Sequence, residues 1–494
     1  MSFNKRIGKN YIIFTILAIS GAFMAVMDTT IVDIIVPKLT GVLSTDMYGV
    51  QWIITAYMLS AAVMLLLSPF LIHRFGKHKV FLYSLTIFTF ASFLCGISNS
   101  LEFMIFSRVF QGSAEALVMV TAHIMIFSYF PPEKKGIAMG IFALGVAFAP
   151  AIGPTLGGYL VEYFNWRMVF FVNVPIGVVV VLLGIFLFPK DETKSVTINF
   201  FSLLFLSIFT LSLLMILSKG QQLGWLQSDY IIFLLFITII SFLFFIYFEL
   251  DNPMIDYYLF KNKNFTLGIL IYFVILGFSM YQYFYLLPVF YEHIKGVGSL
   301  NAGIGIFGFG IFIGIFSILA GVVSDIYSPK IVILIGVIIY LIDTLFFLPK
   351  LNYYTPFIEA IIYTIPFGIA MGMFFAPVTT MVMKTAPENS EQVTMIMDYA
   401  RFVGGSFGTA IATNNLEFFQ NTLFLKMNEN QNHFYIQHFL ENLNFNDNIS
   451  KIIFFNYETL IASSYGFHNI FFNAGLFGLF GSIFVFLLFL KRKN

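Results

Sequence analysis

Long apolar runs, each closed by a short cluster of charged, Gly, Pro or Asn residues, recur along nearly the whole chain. A hydrocarbon core about 30 Å thick takes roughly 20 apolar residues per helix, and windows of that length predict a succession of membrane-spanning helices. Six lie at 12–35, 49–71, 79–98, 101–128, 137–160 and 168–188, and two follow at 199–217 and 230–250. Six more lie at 266–290, 302–323, 331–348, 356–383, 392–413 and 468–490. The grouping predicts an all-α integral membrane protein in three parts: residues 1–190, an inserted pair within 191–260, and 261–494. One connection is long, 414–467. It is Asn-rich with amphipathic pieces such as "FYIQHFLENL", and short surface helices are expected there.

Composition agrees, since 59% of the 494 residues are hydrophobic and 10% charged, too few polar groups to coat a water-soluble fold. A net charge of +1 leaves no basic domain to neutralise nucleic-acid phosphates. The single cysteine, Cys95, excludes an internal disulfide framework and a CxxC metal site. The start "MSFNKRIGKN" leads into an apolar run about 24 residues long, too long for a secretory signal core, so a retained first helix is expected. With the N-terminus inside, about 17 basic residues fall on inner segments and about 7 on outer ones, so both termini are expected on the cytoplasmic side of the inner (cytoplasmic) membrane. No GxxxxGK[ST], HExxH or GxSxG pattern occurs, which argues against ATP coupling and against an enzyme. No metal or cofactor is expected.

Against this background seven charged residues stand at membrane depth: Asp28, Asp33, Arg108, Glu115, Asp343, Asp398 and Arg401. Such groups face protein or water and are paired. Arg108, Gln111 and Glu115 share one face of the fourth span, being three and seven residues apart. The guanidinium keeps its charge and needs a carboxylate or carbonyls; a static pair that fixes packing is the alternative to a functional one. Asp398 and Arg401 are spaced to pair within their own helix, as a ligand site or as a staple. Asp343 has no charged neighbour in its helix, and a structural role is expected. Asp28 and Asp33, about 140° apart around the helix, cannot share a face. Desolvation and a nearby cation act oppositely on a buried carboxylate, which makes Asp28 a candidate proton carrier.

In the fifth span Gly145, Ala149, Gly153 and Gly157 repeat every four residues, with Gly158 beside them. This smooth strip suits close helix contact, and Pro150 and Pro154 remove two helical hydrogen bonds. A rocking contact or a tight packing seam fits. The turn "HRFGKHK", with His73, Arg74, Gly76 and Lys77, and the turn "SDIYSPK", with Asp325, occupy equivalent places and predict a latch acting on helix ends. Most of the 65 Phe are expected to face lipid. Trp52, Tyr57, Tyr281 and Tyr285 carry a polar edge and are better candidates for a ligand cavity.

"MDTTIVDIIVP" with Asp28, "QWIITAYML", "RVFQGSAEA" with Arg108, "GVAFAPAIGPTLGG" followed by "WRMVFFVNVPIG", and "RFVGGSFGTAI" occur in order along the chain. Together they resemble the motifs of the 14-span drug:proton antiporters of the major facilitator superfamily, the EmrB/QacA type, from Ile19 to the C-terminus. Pro69 and His73 stand where that group has Gly and Asp, and the second-half turn keeps Asp325 but carries Ser328 and Pro329. Asp33, Glu115 and Asp398 replace residues that are usually neutral.

The resemblance implies the major facilitator superfamily fold, two six-helix bundles related by a pseudo-two-fold axis with spans seven and eight inserted. It also implies export of lipophilic, cationic, drug-like compounds in exchange for protons by alternating access. Asp28 and Arg108, with Glu115, would couple protons. Asp33, Trp52, Tyr57, Gln111, Tyr281, Tyr285, Asp398 and Arg401 would meet substrate. The alternatives are export of one metabolite, siderophore or lipid, or service as the membrane subunit of an assembly that needs a periplasmic adaptor protein.

Overall fold

A computed structural model describes residues 3–490 apart from 34, 36–38, 40, 46, 192, 194–197, 221, 252 and 430–446. The first bundle comprises α1 (Phe3–Asp33), α2 (Met47–Phe75), α3 (Lys77–Ile97), α4 (Leu101–Tyr129), α5 (Lys135–Tyr163) and α6 (Met168–Leu187). The inserted pair is α7 (Phe200–Lys219) and α8 (Asp229–Asp251). The second bundle comprises α9 (Lys263–Glu292), α10 (Gly298–Ile326), α11 (Pro329–Lys350), α12 (Phe357–Met383), α13 (Ser390–Glu429) and α14 (Asp447–Leu487). Twelve helices among the described residues are long and apolar enough to cross a membrane. The other two, α5 and α13, are long helices packed inside the same assembly.

A helix is the form these runs must take, because lipid offers no partner to a free backbone group. Polar side chains close several exposed first turns: Ser100 accepts from Phe103 N, Asn199 from Ser202 N, and Asn262 from Asn264 N and Phe265 N. Burial separates the helices by place. The most apolar window of α4 is 78% buried and that of α8 is 28% buried, so α4 runs through the interior while α8 turns most of its side chains outward. The expected loop at 414–467 is much shorter than predicted, since α13 continues to Glu429 and α14 begins at Asp447. Residues 414–429 lack Gly and Pro, so nothing stops the helix where apolarity ends. The rest of the predicted surface segment, 430–446, lies outside the described residues.

The two bundles meet along two lines, α5 against α10 and α12, and α13 against α2 and α4. On the first line backbones nearly touch. A Cβ on Gly321 would collide with the Gly136 carbonyl, and one on Gly136 with that of Gly321. Ser317 donates to the Gly140 carbonyl at 2.9 Å, and Gly303 sits against Thr155 towards the other end. The predicted glycine strip of α5 faces elsewhere: Gly145 meets Ile19 and Gly153 meets Thr30 of α1. That strip is a contact within the first bundle, and the bundle-to-bundle seam uses a different pair of glycines. The side chains of Pro150 and Pro154 lie outside the described set; Gly157 is buried and Gly158 half-buried.

The inserted pair packs through stacked rings, Phe201 on Phe248 and Phe205 on Phe244, each with centroids 4.9 Å apart. Its inner helix α7 touches both bundles. Ser218 lies 3.5 Å from Thr55 of α2, and Thr210 lies 2.6 Å from the Tyr399 hydroxyl of α13. The pair therefore covers the outside of the α2–α13 line.

Candidate functional site

Asp28 is fully buried in the first bundle and its carboxylate is completely engaged. Arg108 Nη1 donates to Oδ2 at 2.6 Å; Gln111 Nε2 and Asn173 Nδ2 donate to Oδ1 at 2.9 and 2.6 Å. The donors are themselves held. Arg108 also donates to the Ile53 carbonyl at 3.3 Å and to Gln111 Oε1 at 2.8 Å, and its guanidinium carbon lies 4.0 Å from the centroid of the Tyr57 ring. Gln111 donates a second bond to Ser92 at 2.8 Å. Five helices, α1, α2, α3, α4 and α6, thus build one cage around a neutral ion pair. Charge-assisted bonds of this length are the strong ones, and a buried pair persists only when its remaining donors and acceptors are satisfied.

The second constellation lies between the bundles. Asp398 of α13 lies 3.6 Å from Arg401 Nη2 in its own helix and 3.7 Å from His123 Nδ1 of α4. Arg401 Nη1 donates to the Tyr281 hydroxyl of α9 at 3.2 Å. Glu115, half-buried on α4, shares the electrostatic field of Arg401 and Asp398. At the rim, His73 Nε2 lies 3.9 Å from Glu391 Oε2 of α13. Where the resembled family has an acid on α2, this chain has a base, and the acid stands on the opposite helix.

The remaining predicted residues divide. Gln111 is taken up by the Asp28 cage, and Tyr57 gives it a ring face while its buried hydroxyl has no hydrogen-bond partner among the described residues. Trp52 lies at the inserted pair, in a 280 Å³ cavity with Gly49, Lys219, Gln222, Leu223 and Tyr230, and Lys219 Nζ is 5.5 Å from its ring. Tyr285 is half-buried, and the side chain of Asp33 lies outside the described set. In the latch, Asp325 accepts from Gly136 N at 2.9 Å and Ile137 N at 3.0 Å and lies 3.5 Å from Lys384 Nζ. It caps the first turn of α5, where helix dipoles favour an anion. Gly76 turns between α2 and α3 at φ 87°, a left-handed conformation that suits glycine, with Asp191 packed where a Cβ would point. Lys77 donates to Ser128 at 2.6 Å, and Arg74 is exposed.

Sequence reasoning missed Asn173, Ser92 and His123. Asn173 and His123 each left a signal, a lone amide inside the apolar "FVNVPIG" and a lone imidazole inside the apolar "LVMVTAHIMIF". Asp343 is buried, and neither carboxylate oxygen has a partner among the described residues. A buried polar group without a bond costs stability. Asp343→Asn is therefore expected to leave transport unchanged and the thermal midpoint no lower, measured on purified protein; loss of transport would give this residue a role in the cycle.

Residues 18–409 match the Major Facilitator Superfamily. The chain is 31% identical over 420 residues to the multidrug export protein EmrB of Escherichia coli (strain K12), covering 82% of this chain and 80% of that one. It is 30% identical over 420 residues to the riboflavin transporter RibZ of Clostridioides difficile (strain 630), covering 84% and 87%. Its fold is similar to the proton:xylose symporter XylE bound to 6-bromo-6-deoxy-D-glucose, with a TM-score of 0.61 at 14% identity over 97% of this chain and 96% of that one. Paired bundles, an all-helical membrane architecture and these likenesses agree, and the chain belongs to the major facilitator superfamily.

Proposed function

We propose that this membrane protein is a proton-coupled multidrug efflux transporter that exports lipophilic, cationic compounds by alternating access, in the inner membrane with both termini cytoplasmic. The likeness to a multidrug export protein over four-fifths of both chains supports the cargo class. The observation that carries the coupling is the Asp28 cage, built wholly of donors. As it stands it suits a carboxylate: a carboxyl proton would need the Asn173 amide to turn its Oδ1, unpartnered among the described residues, inward in place of Nδ2, and would remove the charge that holds Arg108. Two arrangements of one buried pair are what a coupling switch requires.

The end carrying the α2–α3, α4–α5 and α10–α11 turns is the cytoplasmic one on this reading, from its excess of Lys and Arg. Asp325, capping α5 from the other bundle, then closes the cytoplasmic side. Rocking of one bundle on the other would open it. A proton descending 100 mV supplies about 2.3 kcal/mol to export of a neutral compound; exchanged one for one with a monovalent cation it moves no net charge, and the pH gradient then drives export.

A second reading, transport of one metabolite, is supported by the 30% identity to a riboflavin transporter, against 31% to the multidrug export protein. Purified full-length protein in proteoliposomes with an imposed pH gradient separates the two. Proton-driven movement of ethidium and tetraphenylphosphonium without added protein is the expected result. Movement of riboflavin alone would replace the multidrug reading, and activity only with an added adaptor would make this chain one part of an assembly.

A further inference from the structure

Two acidic side chains of α13 each face a histidine of the first bundle. Glu391 meets His73 at the rim, and Asp398, seven residues on and on the same helix face, meets His123 deeper in. The rim pair is partly exposed, its side chains 25% and 18% accessible, while the inner pair is buried at 1% and 6%. His123 Nε2 has no hydrogen-bond partner among the described residues, and the ring stacks on Phe142 of α5 at 4.7 Å. Among the described residues no acceptor of its own bundle holds the imidazole, and the one charged group within 4 Å belongs to the other bundle.

The charged and titratable groups around this point come from three helices. Glu115 stands with His123 on α4, Asp398 and Arg401 on α13, and Tyr272 and Tyr281 on α9. Two carboxylates, Glu115 and Asp398, stand here with one guanidinium, Arg401, so one acid lacks a fixed cationic partner. A proton held in this cluster, on the Glu115 carboxyl or on the His123 imidazole, makes up the difference, and groups at membrane depth are stable when paired; only the proton on His123 also gives Asp398 a partner in the other bundle. The Asp28–Arg108 pair is already balanced inside its own cage and contributes none.

We propose that His123 is a proton-carrying residue separate from the Asp28 site, whose protonation ties α4 to α13 through Asp398, with His73 and Glu391 as the rim counterpart of the same tie. The proposal rests on the alternating-access reading above. Imidazole is the side chain whose charge changes between about pH 5 and 8. The seam between the bundles is accordingly tied by an ion pair when His123 holds the proton and released when it does not. At 3.7 Å the atoms are within 1 Å of a hydrogen bond, so a small closing motion completes the tie. Arg401, engaged by Asp398 and Tyr281, supplies a fixed positive charge that limits the cluster to one added proton.

The test follows bundle separation against pH, with no substrate needed. In full-length protein with Cys95→Ser, spin labels are placed on the exposed turns of the two bundles, at Lys79→Cys with Tyr327→Cys, and in a second protein at Tyr163→Cys with Tyr354→Cys. Between pH 8.5 and 5.5 the inter-label distance populations are expected to shift. The comparison is made in Asp28→Asn, which removes the other proton site and is expected to retain the shift. His123→Gln added to Asp28→Asn is expected to lose it and to keep at pH 5.5 the distribution seen at pH 8.5. Should that protein fail to fold, Asp398→Asn in place of His123→Gln removes the other half of the same pair and is expected to lose the shift equally. A parent protein with no shift, or a shift in Asp28→Asn that survives both substitutions at the inner pair, overturns the proposal. A shift already lost in Asp28→Asn also overturns it, and leaves the Asp28 reading standing.

Discussion

Asp28→Asn is expected to abolish proton-driven efflux while the protein still reaches the membrane. The substitution keeps the size of the side chain but removes the charge that balances Arg108 and replaces one acceptor oxygen with a donor. Three donors now point at that position, so an amide NH2 must turn towards Arg108 or towards Gln111 and Asn173. Leaving a buried partner unpaired costs about 3–5 kcal/mol. Arg108 still holds the Ile53 carbonyl, Gln111 Oε1 and the face of Tyr57, which keeps the bundle assembled at reduced stability. Transport should fall about 100-fold or more, since each 1.4 kcal/mol or so of barrier is tenfold. Reconstituted protein, a pH gradient and a dye flux measure it, with membrane yield and thermal midpoint read in parallel. Normal efflux by the variant would sink the coupling role of this residue.

Much of that cage was legible from one rule, that charge is costly at membrane depth. The rule singled out Asp28 and Arg108 and put Gln111 on the same face. It could not say what Gln111 bonds, because which helix lies opposite is decided by packing across 83 residues of sequence. Ser92 carries no comparable signal, since a hydroxyl in a lipid-facing helix can satisfy itself on the preceding turn, as Thr86 does with the Leu82 carbonyl. His123, a lone imidazole in the apolar "LVMVTAHIMIF", falls under the same rule and was passed over; its partner, like that of Glu391, lies more than 270 residues away and could not be read. The α13 boundary shows a different limit. Hydropathy reports where lipid ends, whereas helix ends are set by stop signals, and residues 414–429 contain neither Gly nor Pro. The glycine strip of α5 was read as a close contact, which it is, against α1 rather than across the seam; a period of four names a face but not the neighbour on it.

The seam itself carries the second large expectation. Gly321→Val should lower transport by tenfold or more while each bundle stays folded. The three atoms nearest to a Cβ there are all backbone of α5, the Gly136 carbonyl oxygen and carbon and Ile137 N, and backbone cannot swing aside as a side chain can. The crossing must separate, and Asp325, four residues on, is then carried off the first turn of α5. Contacts inside the second bundle are spared, since none of the three atoms nearest to that Cβ belongs to it. Asp325→Asn is the milder version of the same change. It keeps the crossing and weakens the two bonds from Gly136 N and Ile137 N, and hydrogen bonds to a charged group contribute about 1.5–3 kcal/mol. The closed state should lose roughly tenfold to a hundredfold in relative population, less than Gly321→Val removes. A cysteine placed at Ser317, buried beneath Gly140, reads the outcome in a Cys95→Ser background. It should be protected from a thiol reagent in the parent protein, reactive in Gly321→Val, and intermediate in Asp325→Asn. If Gly321→Val leaves both protection and transport as they were, the α5–α10 line is a fixed joint and the motion that opens the protein runs elsewhere.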